Sequence, residues 1–204
     1  MTVTLRPLAA GDGARVLGWR NSEAVAPYMY SEHQITAAEH AGWLKAALDQ
    51  GALEEGGRAD GDRRFWIIEL DGAGVGLANL AKIDRANSKC EWAYYLADPA
   101  TRGRGVGSVV EFLVLGFVFE RLGLNRLWCE VLVENEAVWG LHERFGFVRE
   151  ALLRAHVRKA GVFRDVVGLG MLSADWPAAK AAALARLAGK GVDQDALAAA
   201  MAGM

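Results

Sequence analysis

The chain has 204 residues, 52% of them hydrophobic, which is enough to bury the core of one domain. Its formal net charge of -2 excludes the broad basic surface typical of nucleic-acid-binding proteins, and no apolar run is long enough to suggest a membrane as partner. Because the cysteines, Cys90 and Cys129, lie in apolar runs and no secretion signal precedes them, we expect packed free thiols in a cytoplasmic protein.

The N-terminal part predicts a strand followed by two helices. Residues 2–8 alternate between apolar and polar as a half-buried strand does, and Asp12 is a typical helix cap. Thr36 and Glu39 form a capping-box pattern that starts a second helix, which ends near residue 48. Residues 50–63 are rich in glycine and charge, which indicates a mobile surface loop.

The middle of the chain predicts an antiparallel meander that leads into a parallel crossover. Strands are expected at 64–71, 74–83 and 89–97, and the apolar segment 106–122 is expected to be a helix packed deeply on the sheet. Because a helix connects them, strand 126–133 should pair in parallel with strand 89–97. The remaining elements expected are a helix at 136–145 and strands at 147–158 and 163–172.

From residue 177 the composition shifts to alanine, leucine, lysine and glycine, with a break at Gly189-Lys190-Gly191. We therefore expect one domain over 1–176 and a helical C-terminal tail over 177–204. Short alanine-rich helices are marginal alone, so the tail docks on the domain, forms a homodimer contact or is partly disordered. No residue of the tail predicts a catalytic role.

A glycine turn, Arg102-Gly103-Arg104-Gly105-Val106-Gly107, joins a predicted strand to a predicted helix. Glycines allow backbone amides to approach an anion closely, and the free amides at a helix start carry partial positive charge. The glycine turn lacks the Lys-Ser/Thr of a nucleotide-hydrolysing P-loop, and no acidic ribose ligand of a dinucleotide fold follows it. It therefore predicts a phosphorylated cofactor of another kind.

With Asp98-Pro99 before it and Asn135-x-Ala137 and Phe145-Gly146-Phe147 after it, the glycine turn resembles that of the GCN5-related N-acetyltransferases (GNAT). The resemblance implies an α/β (α+β) fold with a mixed, mostly antiparallel sheet whose central parallel pair splays apart between flanking helices. It also implies acetyl-CoA as the acyl donor, with the pantetheine arm between the splayed strands. The implied acetyl-CoA contacts are Tyr95, Leu96, Arg102, Gly103, Arg104, Gly105, Val106, Gly107, Ser108 and Asn135. Asn135 is also typical of a helix cap.

Two residues are candidates for proton transfer. Glu130 lies in a mostly apolar strand, where a carboxylate is costly unless solvated or paired, so it is the candidate base, acting directly or through water. The alternatives are a surface role for Glu130 and a competing role for Glu91 on the preceding strand. His142 lies where many members of the family carry a thiolate-protonating tyrosine; it supplies that proton or is an ordinary half-exposed helix residue. No histidine has zinc spacing, so we expect no metal.

The acceptor is predicted from further motifs, which are similar to those of the acetyltransferases of pseudaminic acid biosynthesis. These motifs are Trp19-Arg20-Asn21, Glu39-His40, Gly76-x-x-Asn79, Glu91-Trp92-Ala93, Glu130-Val131-Leu132 and Arg154-x-x-x-x-Lys159. The similarity covers about residues 3–176 and implies acetylation of the 4-amino group of a nucleotide sugar, UDP-4-amino-4,6-dideoxy-N-acetyl-β-L-altrosamine. The expected substrate contacts are Arg20, His40, Asn79, Lys82 and Tyr94.

Two other functions stay open. Part of the motif set is shared with ribosomal-protein alanine acetyltransferases, whose peptide substrate favours an open acidic groove instead of cations around a diphosphate. The other alternative is a non-catalytic acyl-CoA-binding module with the tail as its partner surface.

Overall fold

The computed structural model describes residues 1–51 and 61–204, in which seven strands form one sheet with helices on both faces. The strands are β1 (Val3–Pro7), β2 (Arg64–Leu70), β3 (Ala73–Asp84), β4 (Lys89–Leu96), β5 (Arg126–Leu132), β6 (Val148–Lys159) and β7 (Val162–Leu172). The helices are α1 (Gly13–Arg20), α2 (Ala37–Gly51), α3 (Val106–Gly116), α4 (Glu136–Arg144), α5 (Trp176–Gly189) and α6 (Gln194–Ala202). The sheet order is β1-β2-β3-β4-β5-β7-β6, and all neighbours are antiparallel except β4 and β5. The predicted fold class is confirmed.

Two local predictions need correction, and one falls where nothing is described. The helix expected over 106–122 keeps α-helical geometry only to Gly116 and continues as a π-helical turn over Phe117–Arg121. Asp12 does not cap α1 with its side chain; its carboxylate accepts from the Arg6 guanidinium at 2.9 Å instead. Most of the loop expected at 50–63 lies outside the described residues.

The capping box of α2 is confirmed. The Glu39 amide donates to Thr36 Oγ1 at 3.2 Å, and the Thr36 amide donates to Glu39 Oε2 at 2.8 Å. These two bonds satisfy free donors at the helix start, which is why the helix begins where the sequence predicts.

The core lies on both faces of the sheet. Ile67 and Ile68 of β2 are fully buried and point to opposite faces, because side chains alternate along a strand. Ile68 belongs to the larger cluster, with α3, α5 and α6, and Ile67 belongs to a smaller one beneath α1 and α2. Cys90 and Cys129 are free and buried. Within the described part of the chain, no helix combines the length and apolarity needed to cross a membrane.

The tail packs on α3. Nine of the 11 residues of α3 are buried, so this helix needs apolar cover on the side away from the sheet as well. Leu187 of α5 and Leu197 of α6 belong to the same hydrophobic cluster as α3, and Met201 packs directly on Gly116. The tail is therefore docked on the domain, which was the first of the three alternatives.

Candidate active site

A cleft opens where β4 and β5 separate. The two strands pair over only three positions, Lys89–Glu91 with Arg126–Trp128, and then diverge. The cleft has a volume of about 840 Å³. Its lining brings together most of the predicted site residues: Tyr94, Tyr95, Leu96, Arg102, Gly103, Gly105, Val106, Gly107, Ser108, Glu130, Asn135 and His142.

The divergence leaves main-chain groups of β4 without a strand partner. The Ala97 amide donates to the Val75 carbonyl of β3 at 2.8 Å. Because amide direction alternates along a strand, the amides of Tyr94 and Leu96 point the other way, into the gap. The Tyr95 amide points toward β3, so of the two predicted residues only Leu96 presents its amide to the gap.

The glycine turn presents free backbone donors to the cleft. Gly103 and Gly105 have φ angles of +74° and +78°, in the left-handed region that favours glycine. Among the described residues, the amides of Gly103, Gly105, Val106 and Gly107 donate to no carbonyl. Four free amides beside a helix start provide the partial positive charge that suits a phosphate group.

One predicted contact of this turn is corrected, and another is limited to its side chain. Ser108 lines the cleft, but its amide donates to the Gly105 carbonyl at 3.0 Å and is already used at the start of α3. Arg104 does not line the cleft, and its guanidinium lies 3.5 Å from the Asp71 carboxylate. Arg102 does line the cleft and is the remaining arginine of the glycine turn that a phosphate can contact.

Asn135 lies at the N-terminal end of α4, but its side chain makes no capping hydrogen bond, contrary to the predicted cap. Its carbonyl instead accepts from the amides of Val138 and Trp139. The side-chain amide is therefore available to the cleft, which suits the implied contact with the pantetheine arm.

Glu130 lies on the face of β4 and β5 that also carries Glu91, which we call the acceptor side. Its carboxylate accepts from the Tyr30 hydroxyl at 2.9 Å and from Trp128 Nε1 at 3.3 Å. Burial, together with the charge of Glu130, raises the pKa of Tyr30, so the phenol keeps its proton and donates. These donors hold the carboxylate in the cleft lining.

His142 lies on the opposite face of β4 and β5, which faces α3 and which we call the cofactor side, in the cleft wall beside Trp92 and Phe147. Its side chain is 3% exposed, so the half-exposed alternative is wrong. Its Nδ1–H donates to Glu111 Oε1 at 2.8 Å. Burial disfavours the charged imidazole, but the charge of Glu111, its hydrogen bond to the ring and the neighbouring Cys129 together outweigh this effect and raise the pKa of His142.

Glu111 is the site residue that the sequence interpretation missed. It lies on α3 with 0% exposure, and within the described residues its Oε2 has no hydrogen-bond partner. Burial raises its pKa, and His142 opposes that effect. A carboxylate within an otherwise apolar helix was the signal available, because such a group is rarely buried without a partner.

Two predicted substrate contacts belong to the packing of the N-terminal helices. The His40 ring is buried and donates from Nε2 to the Gly13 carbonyl at 2.7 Å, which ties α2 to α1. The Arg20 guanidinium approaches Ser31 Oγ at 3.4 Å. Neither side chain lines the cleft, so the structure does not bring them to an acceptor.

The other three predicted substrate contacts are also paired with protein groups or lie away from the acceptor side. Asn79 is paired inside the sheet and does not line the cleft, and the Lys82 ammonium is engaged with Glu91 Oε1 at 2.8 Å. Tyr94 lines the cleft, but strand alternation turns it toward α3. A Cβ on Gly107 would lie 2.9 Å from its hydroxyl oxygen. Tyr94 therefore lies on the cofactor side and not with the acceptor.

The acceptor side carries an excess of carboxylates. A second cavity of about 800 Å³ adjoins the cleft and shares Tyr28, Leu132 and Asn135 with it. The carboxylates lining the two cavities on this side are Glu23, Glu32, Glu91, Glu130 and Glu134. Among the described residues that line the second cavity, the cations are Lys159 and Arg164, which are bonded to the Met29 carbonyl and to Glu134. Lys82, which lines neither cavity, is paired with Glu91. The carboxylates on this side therefore outnumber the cations.

In the described ranges, no group of three or more histidine, cysteine, aspartate or glutamate residues could hold a metal ion.

Comparison with known proteins decides the family. A sequence profile of the acetyltransferase (GNAT) domain matches residues 2–148. The chain belongs to the GNAT family. This acetyltransferase is 24% identical over 87% of its length to a putative ribosomal N-acetyltransferase of Bacillus subtilis, covering 95% of that protein. It is 26% identical over 81% of its length to spermidine N(1)-acetyltransferase of Escherichia coli, covering 83% of that protein.

Solved structures give the same fold. Spermidine N-acetyltransferase from Vibrio cholerae, in complex with CoA and spermine, superposes with a TM-score of 0.76 at 22% identity. The match covers 86% of this chain and 98% of that one. The protein is an N-acetyltransferase that uses acetyl-CoA as co-substrate, which excludes the non-catalytic alternative.

The glycine turn gives a direct test of where CoA binds. We expect Gly105→Asp to weaken CoA binding about 100-fold, because a side chain at this left-handed position intrudes on the turn and its charge repels phosphate. Isothermal titration calorimetry measures the effect. Gly161→Asp is the matched control, since Gly161 has the same φ of +78° in the β6–β7 turn, away from the cleft. Unchanged affinity in Gly105→Asp would place the diphosphate elsewhere.

Proposed function

We propose that this enzyme transfers the acetyl group of acetyl-CoA to a primary amine of a small cationic acceptor of the polyamine class. The carboxylate excess on the acceptor side is the observation that carries this proposal, because it favours a cationic molecule. The ribosomal-protein alternative also fits an acidic groove, but a peptide N-terminus brings one ammonium group where a polyamine brings several. The likeness to spermidine N-acetyltransferases supports the polyamine proposal. The nucleotide sugar is the second candidate, because the sequence motifs favour it. The side chains predicted to bind its diphosphate, Arg20, His40 and Lys82, contact other protein groups instead. The homodimer stays a prediction.

The proposed reaction uses the two faces of the diverging strands. Glu130, on the acceptor side, takes a proton from the ammonium group, directly or through water, and the free amine attacks the thioester carbon. The Leu96 amide, which points into the gap, stabilises the negative charge that develops on the carbonyl oxygen. The C–N bond forms, the C–S bond breaks, and the electron pair leaves with the CoA sulfur. The nitrogen, which still carries one extra proton after the attack, releases it to water.

His142, on the cofactor side, gives its proton to the departing thiolate. Glu111 does not touch the reactants in this scheme; it is a positioning residue that holds the Nδ1–H of His142 and favours the imidazolium. The other ring nitrogen, Nε2, is then the proton donor. A buried carboxylate thereby sets both the orientation and the charge of the acid.

The acceptor is tested by measuring CoA release with four amines. We expect kcat/KM for spermidine to exceed, by about tenfold or more, the values for butylamine, an alanine-starting peptide and the UDP-linked amino sugar. Butylamine is the matched control, because it offers one primary amine without the second and third charges. A highest value for the UDP-linked amino sugar or for the alanine-starting peptide, or equal values for spermidine and butylamine, would contradict the polyamine proposal.

The base is tested with Glu130→Gln, which keeps the shape of the side chain and removes its charge. We expect kcat to fall by about 10²-fold or more with the CoA affinity unchanged, because general-base catalysis is lost. Glu143→Gln serves as the control, since Glu143 is a surface carboxylate of α4 paired with Arg149. A normal kcat in Glu130→Gln would transfer the role to another group, with Glu91 as the first to test.

If Glu111 positions and charges His142, its removal should change the pH dependence of kcat. Its charge raises the pKa of His142, so the acid keeps its proton to higher pH. We expect Glu111→Gln to move the alkaline limb of the kcat profile to lower pH, and His142→Phe to lower kcat. Circular dichroism of both variants controls for folding. If Glu111→Gln folded and kept the parent alkaline limb, the positioning role would be refuted.

A further inference from the structure

The turn between α5 and α6 has a fixed backbone. The amides of Lys190 and Val192 both donate to the Leu187 carbonyl, at 3.1 and 3.0 Å, and the Gly191 amide donates to the Ala188 carbonyl at 2.9 Å. Gly191 has a φ of +73°, which this way of ending a helix requires. The Gly-Lys-Gly break in the sequence is therefore a defined helix end.

Buried side chains hold this turn against the domain. Leu187, before it, is 1% exposed, and Val192, after it, is 8% exposed. Both belong to the hydrophobic cluster that surrounds α3. Helix α3 starts within the glycine turn, at Val106. The docked tail therefore brings the α5–α6 turn close to the glycine turn.

The side chain of Lys190 reaches the glycine turn. Its Cδ lies 3.7 Å from the position that a Cβ on Gly105 would occupy, and the ammonium group is two bonds further along the chain. Lys190 is exposed, and among the described residues it has no ion-pair partner within 4 Å. Arg104, in the same turn, is by contrast directed at Asp71.

We propose that Lys190 binds a phosphate group of acetyl-CoA, so that the tail completes the co-substrate site. The Lys190 side chain lies beside Gly105, outside the residues that line the cleft, so its unpaired ammonium can reach a phosphate held by the four free amides of the turn. The proposal rests on the placement of CoA at the glycine turn. Lys190 lies beyond the segment 2–148 that the family profile matches, so the profile does not account for it. The diphosphate and the 3′-phosphate of CoA share this chemistry.

The test measures CoA and dephospho-CoA binding by calorimetry for Lys190→Ala, Lys190→Glu and Lys190→Arg. We expect the dissociation constant of CoA to rise about tenfold in Lys190→Ala at low salt, to rise further in Lys190→Glu, and to stay near the parent value in Lys190→Arg. The kcat and the amine KM should not change. Lys45→Ala is the control, because it removes another exposed lysine charge, on α2.

The two ligands separate the two phosphate sources. An equal loss of affinity for CoA and dephospho-CoA assigns Lys190 to the diphosphate, and a loss confined to CoA assigns it to the 3′-phosphate. Unchanged affinity for both ligands in folded Lys190→Ala and Lys190→Glu overturns the inference. If the Lys190 variants keep their CoA affinity but Gly105→Asp loses it, only the role of Lys190 is wrong. If Gly105→Asp also keeps its CoA affinity, the placement of CoA at the glycine turn is wrong as well.

Discussion

The separation of β4 and β5 is the constraint on which the site depends. Parallel strands normally satisfy each other's backbone groups, and here they do so for only three residue pairs. Beyond that point the amides of Tyr94 and Leu96 face a gap instead of a neighbouring strand. Unpaired backbone groups in a partly apolar cleft are costly, so the gap favours a ligand with amides of its own, and the pantetheine arm of acetyl-CoA is such a ligand.

The pleat of the same strands divides the chemistry between two faces. Glu130 lies on the acceptor side, whereas Tyr94 and His142 lie with the cofactor elements. In the proposed reaction the base and the acid therefore approach one thioester from opposite sides and do not compete for the same proton. Burying the Glu111 carboxylate is unfavourable in itself. Its hydrogen bond with His142 offsets part of that cost and links the residue to the site.

The tail links the stability of the domain to the co-substrate site. Helix α3 is apolar on nearly all sides, so it needs cover that the sheet alone cannot provide. Helices α5 and α6 supply this cover and, because α3 begins at the glycine turn, the cover also brings Lys190 to that turn. A segment that in sequence looked appended is part of the main core.

The sequence by itself determined the order of the elements, the fold class, the glycine turn and the use of acetyl-CoA, since all of these depend on local patterns and on one short motif. It also predicted Glu130 and His142 as residues of the cleft. Only the tertiary structure decided that His40 packs against Gly13, that Lys82 is occupied by Glu91, and that Glu111 and Lys190 approach the site. These are contacts between residues distant in the chain, or choices among partners, and they depend on how elements pack and not on the periodicity of any single element.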